Sequence, residues 1–179
     1  MKRFLNEEGA SSGDIARAFS FLFSIRGTPM IYYGDEIGMR GGEDPDNRRD
    51  FPGGWSGDPH NAFERSGRTA EENRLFDHVR RLAAIRKRSE PLRRGATIEL
   101  LCTEHAYVFA RVSGNQRAIA AFHDGPAETL RIPVREAALA DGARLVDALG
   151  MLPDIQVSEG AIEIHFPAQA AAIYETRSQ

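Results

Sequence analysis

Asp44 and Arg48, spaced i,i+4, are a carboxylate and a guanidinium that could act together on one ligand. Such a pair can grip vicinal hydroxyls, because the carboxylate accepts hydrogen bonds and the guanidinium donates them in a fixed fork. Sugars present hydroxyls in this arrangement. The same spacing also suits a simple ion pair on one turn of helix. From the spacing alone, both roles stay open.

Two further carboxylates, Asp35 and Glu36, follow the apolar run Met30–Tyr33. Glycoside hydrolysis needs a pair of carboxyl groups that flank one bond. Adjacent residues on an extended chain point to opposite sides, however, which favours binding to backbone amides or to an arginine instead. Trp55 lies in a glycine-rich segment. Its ring either stacks on a sugar or pins the loop to the rest of the fold.

The sequence predicts no metal and no cofactor. Cys102 is the only cysteine, so neither an internal disulfide nor a cysteine zinc cluster can form. We expect it to be a small core residue within a strand. The histidines lack the spacing of metal ligands: His60, His78, His105, His123 and His165.

Composition excludes several classes of protein. The net charge of -3 argues against a nucleic-acid partner, which requires a basic face. No apolar run approaches the roughly 20 residues that cross a membrane. The chain turns acidic at Glu7 and Glu8, so we expect no signal peptide. Its compartment stays open, with the cytoplasm as the default.

The first part of the chain predicts a helix followed by a strand. Ser11 and Ser12 precede apolar residues at helical spacing, and Gly27 ends that helix. The run Met30–Tyr33 has no polar alternation, which is typical of a strand covered on both faces. Residues 34–68 form a long loop of the kind that is usually functional or disordered.

A second helix is predicted after this loop. Thr69 and Glu72 have the spacing of a capping box, and Pro91 bounds the helix. Its apolar positions are Leu75, Val79, Leu82 and Ile85. A helix, a buried strand, a long loop and a helix together indicate a piece of a parallel α/β architecture.

From about residue 95 the pattern changes to short runs of β-type residues separated by turn signals. The runs are Ile98–Cys102, Ala106–Val112, Ala118–His123, Thr129–Ile132, Arg144–Ala148, Ala161–Phe166 and Ala170–Tyr174. They predict an antiparallel β-sandwich. Aromatic residues fall within these runs, which favours core packing over an exposed glycan-binding face. We therefore expect two domains, residues 1–92 and residues 93–179.

Specific residues also carry a family resemblance. The run Gly27–Met39, followed by Asp44–Arg48, resembles the eighth-strand region of glycoside hydrolase family 13, the α-amylase family. Residues 49–69 resemble the neopullulanase and cyclomaltodextrinase branch. The resemblance implies α/β then all-β architecture: the tail of a (β/α)8 TIM barrel, with one helix, strand eight and the final helix, followed by an antiparallel β-sandwich.

The resemblance also implies roles for individual residues. Asp44 and Arg48 match the aspartate and arginine that bind the sugar in the subsite just before the scissile bond, and Trp55 is a further candidate for substrate binding. Arg3 matches an arginine that often stands three residues after the aspartate of an Asn-His-Asp signature. The family's nucleophile aspartate, acid/base glutamate and third aspartate all lie before Met1. We therefore expect no catalytic residue in this chain.

The expected function is that of the carboxyl-terminal part of an α-glucan hydrolase. Such an enzyme acts on α-1,4 and in some cases α-1,6 glucosidic bonds of maltodextrins or cyclodextrins, with a retaining mechanism. The alternatives are a transglycosylase or isomerase of the same family, or a non-catalytic module that binds glycans or a protein partner. The expected partner is an α-glucan oligosaccharide, with a homo-oligomer formed through exposed barrel surface. A truncated gene or a misplaced start would explain the missing carboxylates.

Overall fold

The computed structural model describes residues 2–176. Met1, the first residue of the first predicted domain, and residues 177–179, the last of the second, lie outside the described residues. These residues pack as two compact units. The first unit contains the residues up to Phe19 together with Pro29–Arg81, and the second contains Ser20–Thr28 together with the residues from Leu82 onward. The division at residues 92 and 93 stays a prediction.

Helices are few. They are α1 (Ser12–Ser24), α2 (Ala70–Arg88) and α3 (Glu90–Arg94), with short 3-10 turns at Phe4–Asn6, Asp35–Ile37, Asp46–Arg48 and Arg135–Ala137. The strands are β1 (Ala96–Cys102), β2 (Ala106–Ser113), β3 (Gln116–His123), β4 (Glu128–Pro133), β5 (Arg144–Asp147), β6 (Ile155–Gln156), β7 (Ala161–Phe166) and β8 (Ala170–Thr176). The seven predicted strands after residue 95 are confirmed, and the very short β6 was missed.

Both long helices begin with the predicted side-chain caps. The backbone N–H of Thr69 donates to the Glu72 carboxylate at 2.7 Å, and the backbone N–H of Glu72 donates to the Thr69 hydroxyl at 3.2 Å. Ser11 donates to Asp14 in a similar way at the start of α1. These bonds satisfy backbone N–H groups that have no partner inside a helix. The four apolar positions predicted for α2 are all buried.

The strand predicted at Met30–Tyr33 is wrong. This segment belongs to no strand of the described residues, and the Met30 side chain is 81% exposed. A central strand exists only through backbone hydrogen bonds to strands on either side. The residue types of Met30–Tyr33 suit a buried strand, but no strand among the described residues pairs with this segment.

The second unit is antiparallel throughout. One sheet has the order β1-β2-β3-β8-β5-β6, and β4 pairs with β7 in a smaller sheet. The two sheets share one core, which includes Val108 and Ile119 from the large sheet and Ile132 and Ile164 from the small one. The prediction of an antiparallel β-rich part is confirmed. Cys102 lies in β1 as predicted, but it is exposed, so its assignment to the core is wrong.

The other face of the large sheet carries aromatic side chains. The ring of Phe21 packs edge-on against Phe122, with ring centroids 5.3 Å apart, and also contacts Tyr107 and Phe109. Arg111 lies on the same face and is fully buried. Phe109 is buried and Tyr107 and Phe122 are half-buried, so these strand aromatics pack within the unit as predicted, whereas the Phe21 ring is 39% exposed.

Candidate functional site

The loop that carries Asp44 and Arg48 is held by Arg3, whose side chain is only 3% exposed. The backbone N–H of Arg3 donates to the carbonyl of Gly41 at 2.9 Å, and its Nε donates to the carbonyl of Asn47, also at 2.9 Å. One residue therefore fixes both ends of the segment from residue 41 to residue 47.

Glycine is required where this loop turns back on itself. A Cβ atom on Gly41 would lie 2.8 Å from the Cα atom of Asn47 and 2.8 Å from the carbonyl oxygen of Asp46. Real Cβ atoms do not approach backbone so closely, so only glycine fits. The Asp46 carboxylate accepts a 2.6 Å hydrogen bond from the backbone of Gly42. This bond, with a further one from Arg49, lowers the pKa of Asp46.

Asp44 and Arg48 lie side by side. The Nε atom of Arg48 is 3.0 Å from Oδ1 of Asp44, and the two side chains are 69% and 60% exposed. The structure thus forms the i,i+4 ion pair and also presents both groups to solvent. An exposed ion pair contributes only about 0–1 kcal/mol to stability, so a ligand that replaced its contacts would lose little. The geometry is compatible with both roles left open by the sequence.

Trp55 is 69% exposed. The backbone around it is fixed by Asp58, whose carboxylate accepts hydrogen bonds from the N–H groups of Gly53 at 2.7 Å and Trp55 at 2.9 Å. These bonds lower the pKa of Asp58, with that from Trp55 contributing most. The backbone of the loop is therefore held by Asp58, and the indole ring is open to solvent rather than pinning the loop.

Asp35 binds an arginine, as the sequence predicted for one of its two adjacent carboxylates. Its Oδ1 accepts a 3.1 Å hydrogen bond from Nη1 of Arg3, which also donates to the carbonyl of Tyr33 at 2.8 Å. Burial raises the pKa of Asp35, and the Arg3 guanidinium opposes that rise. The Oε2 atom of Glu36 is buried and has no hydrogen-bond partner among residues 2–176.

Metal ligands are not brought together in the part of the chain that the structure describes: no group of three or more His, Cys, Asp or Glu side chains could hold an ion there. Four histidines each have a single carboxylate as neighbour instead: His60, His105, His123 and His165. Nε2 of His60 lies 3.3 Å from Glu72, and Nε2 of His123 lies 2.8 Å from Glu128.

Within residues 2–176, no helix is both long and apolar enough to span a membrane.

Apart from the resemblance, no local sequence pattern indicates that Arg3 holds this loop. Nothing in the local pattern distinguishes it from a solvated arginine near Lys2. Its burial follows from contacts with residues some 30 to 44 positions away, which no short window of sequence can reveal. Its guanidinium also lies over two rings, those of Tyr32 at 5.0 Å and Tyr33 at 4.9 Å.

No protein-family model matches the chain. A cyclomaltodextrinase from Geobacillus thermopakistaniensis (strain MAS1) is 34% identical over 116 residues, which cover 64% of this chain and 18% of that protein. Neopullulanase 2 from Thermoactinomyces vulgaris is 33% identical over 139 residues, covering 75% and 21% of the two chains. The chain thus spans about a fifth of the length of these curated relatives.

The fold has counterparts among solved structures. An α-amylase from Geobacillus thermoleovorans, solved in complex with acarbose, superposes with a TM-score of 0.77 at 21% identity. The superposition covers 98% of this chain and 35% of that one. This partial coverage is consistent with a carboxyl-terminal part. The resemblance to glycoside hydrolase family 13, the α-amylase family, is therefore confirmed by these relatives and structural counterparts, each of which the chain matches over part of its length.

Proposed function

We propose that this chain is the carboxyl-terminal part of an α-glucan hydrolase that cleaves α-1,4 and in some substrates α-1,6 glucosidic bonds of maltodextrins or cyclodextrins. The observation that carries the proposal is the exposed Asp44–Arg48 pair. Both residues lie in the segment that resembles the eighth-strand region of the α-amylase family. The relatives named cyclomaltodextrinase and neopullulanase support the substrate class. In the complete enzyme, residues 1–92 would finish the (β/α)8 barrel and residues 93–179 would form the sandwich beyond it.

Sugar binding follows from the chemistry of the pair. The Asp44 carboxylate accepts a hydrogen bond from one sugar hydroxyl, and the Arg48 guanidinium donates to its neighbour. Their existing contact at 3.0 Å is between exposed groups, so exchanging it for sugar hydroxyls costs little. Trp55 would add stacking against the apolar face of a pyranose ring.

Bond cleavage is assigned to carboxylates outside this chain. The family mechanism retains configuration through a glycosyl-enzyme intermediate, with a nucleophile and an acid/base flanking the bond. Asp35 is engaged by Arg3 and Asp44 by Arg48, so neither is assigned a catalytic role. The complete enzyme would also supply the strands beside Met30–Tyr33, which fits the apolar character of that exposed segment.

Nuclear magnetic resonance titration of the 179-residue chain with maltotriose tests the proposal. We expect shifts centred on residues 44–48 and about tenfold weaker binding in Asp44→Ala and Arg48→Ala, the effect of losing one charged hydrogen bond. Arg131→Ala is the matched control, because it removes an exposed ion pair, with Glu159, from the second unit. Cellotriose, a β-linked trisaccharide, controls for linkage. Equal affinities in both loop variants and the control would return Asp44 and Arg48 to a purely structural ion pair.

A further inference from the structure

The side chain of Arg3 contacts two separate segments of the first unit. Its Nε binds the carbonyl of Asn47, within the 3-10 turn that ends at Arg48. Its Nη1 binds the carbonyl of Tyr33 and the carboxylate of Asp35. Because only 3% of the Arg3 side chain is exposed, these hydrogen bonds are shielded from competing water.

We propose that Arg3 is a positioning residue for sugar binding: by anchoring the Asn47 carbonyl to the Tyr33–Asp35 segment, it sets where the exposed Asp44–Arg48 pair stands. The inference rests on the proposed function, because it concerns the same pair. Arg3 acts through the backbone of the loop and does not itself touch the sugar.

The geometry requires an arginine. Nε and Nη1 of a planar guanidinium point in different directions, and here they serve acceptors on two different segments, at 2.9 Å and 2.8 Å. A lysine ammonium is a single point of charge on a flexible stem and cannot hold both carbonyls in a fixed relation. The rings of Tyr32 and Tyr33 hold the guanidinium by cation–π contacts, which orient its plane further.

Two further contacts attach the ends of the loop to the rest of the first unit. The side chain of Asn6 accepts a 3.1 Å hydrogen bond from the backbone of Gly41, and the Tyr33 hydroxyl donates to the carbonyl of Arg49 at 3.0 Å. Between these points Arg3 supplies the bond to Asn47 from a buried group. Replacing it should therefore loosen the sugar-binding turn while the ends of the loop stay attached.

Arg3→Lys in the 179-residue chain tests the proposal, with Arg65→Lys as the matched control. Arg65 is an exposed arginine of the same unit, and its partner is Asp77 on α2. We expect amide hydrogen exchange across residues 41–49 to be about tenfold faster in Arg3→Lys, as for loss of one charged hydrogen bond, and unchanged in Arg65→Lys.

Maltotriose affinity supplies a readout that a merely structural role would not move. Because a loosened turn makes poor use of Asp44, Asp44→Ala should weaken binding less in the Arg3→Lys background than in the unsubstituted chain. That non-additivity is the signature of one coupled site. Additive losses would mean that Arg3 does not act through the pair and would overturn the proposal.

Two other results would also decide whether Arg3 positions the loop. Exchange that rises throughout the first unit, rather than at residues 41–49, would make Arg3 a general stabiliser and overturn the proposal. If the unsubstituted chain shows no maltotriose binding, the proposed function fails for this chain, but the exchange comparison still decides whether Arg3 positions the loop. Unchanged exchange in Arg3→Lys overturns the positioning role whatever the sugar does.

Discussion

The guanidinium of Arg111, fully buried in β2, donates a 2.7 Å hydrogen bond to the backbone carbonyl of Ser24, the last residue of α1. Its second terminal nitrogen donates to the carbonyl of Gly95 at 2.8 Å. Carbonyls at the end of a helix have no partner within the helix. One buried arginine thus satisfies a helix terminus and joins the segment Ser20–Thr28 to the large sheet within the second unit.

Arg111→Ala should therefore destabilise the second unit. Removing the side chain leaves the carbonyls of Ser24 and Gly95 without their donors, and a buried polar group without a partner costs about 1–3 kcal/mol. Urea unfolding followed by circular dichroism measures the loss. Arg131→Ala, which removes an exposed arginine, should shift the midpoint little. Equal midpoints for both variants would contradict this prediction.

The sequence predicted the second unit better than the first for a physical reason. Both strands of every pair in the second unit lie within residues 96–176, so each predicted run finds its partner in the described chain, even where the two are distant in sequence, as for β3 and β8. Arg111 is the exception. It sits in an apolar strand, and its acceptors lie as far as 87 positions away, so its burial could not be read locally.

In the first unit, only the features that depend on local contacts were predicted correctly. The caps at Ser11 and Thr69 were predictable, because a capping box involves residues only three apart. The strand at Met30–Tyr33 was not, because a buried strand depends on neighbours that the described residues do not provide. The candidate site was half predictable: the types and spacing of Asp44 and Arg48 suggested sugar binding, but the anchoring of their loop by Arg3 became visible only in three dimensions.

Asp147 is expected to stabilise the turn after β5. Its buried carboxylate accepts hydrogen bonds from the backbone N–H groups of Leu149, Met151, Leu152 and Ile173. Asparagine would place an NH2 group against two of these donors. Because a hydrogen bond to a charged group contributes about 1.5–3 kcal/mol, Asp147→Asn should lower the free energy of unfolding by at least that amount.

The control for Asp147 is Asp124→Asn. Asp124 is 71% exposed and pairs only loosely with His105, at 3.3 Å. Its substitution should leave the urea midpoint within the error of measurement. If Asp147→Asn behaved like the control, the four backbone contacts would be contributing nothing to stability.

Asp14 should make the stability of the chain depend on pH in the acid range. Hydrogen bonds from Ser11 hold the pKa of Asp14 below the ordinary value of 3.8. A carboxyl whose pKa is lower in the folded state stabilises the fold above its unfolded pKa, and this contribution is lost as the pH falls through the folded pKa. The gap in melting temperature between the unsubstituted chain and Asp14→Asn should therefore be present at pH 6 and shrink below about pH 3.8.

Glu71→Gln is a suitable comparison for Asp14→Asn, because Glu71 is an exposed carboxylate in the first turn of α2. It accounts for the general effect of a negative charge near a helix N-terminus. A gap that was constant from pH 6 to pH 2.5 for Asp14→Asn would show that its carboxylate form is not favoured by folding.

The purified chain should associate in solution. In the first unit Met30 is 81% exposed and Phe63 is 64% exposed, and Tyr32 and Tyr33 are also open. Apolar surface of this kind tends to be covered by another molecule. We expect a dimer or higher oligomer by light scattering, and Met30→Asp should lower its mass. Met151→Asp, at an exposed methionine of the second unit, is the control. A monomer across the concentration range would contradict the prediction.

The chain by itself should hydrolyse neither maltotriose nor cyclodextrin. A retaining glycosidase needs two carboxyl groups about 5–5.5 Å apart, free to act on opposite sides of one bond. In the candidate site, Asp35 is bound to Arg3, Asp44 to Arg48 and Asp46 to Gly42 and Arg49. Each of these carboxylates is already engaged by an arginine of the chain. Product chromatography measures this directly, with a complete cyclomaltodextrinase as positive control. Glucose release that followed the chain through purification and disappeared in Asp35→Asn would show that a carboxylate of this loop is catalytic.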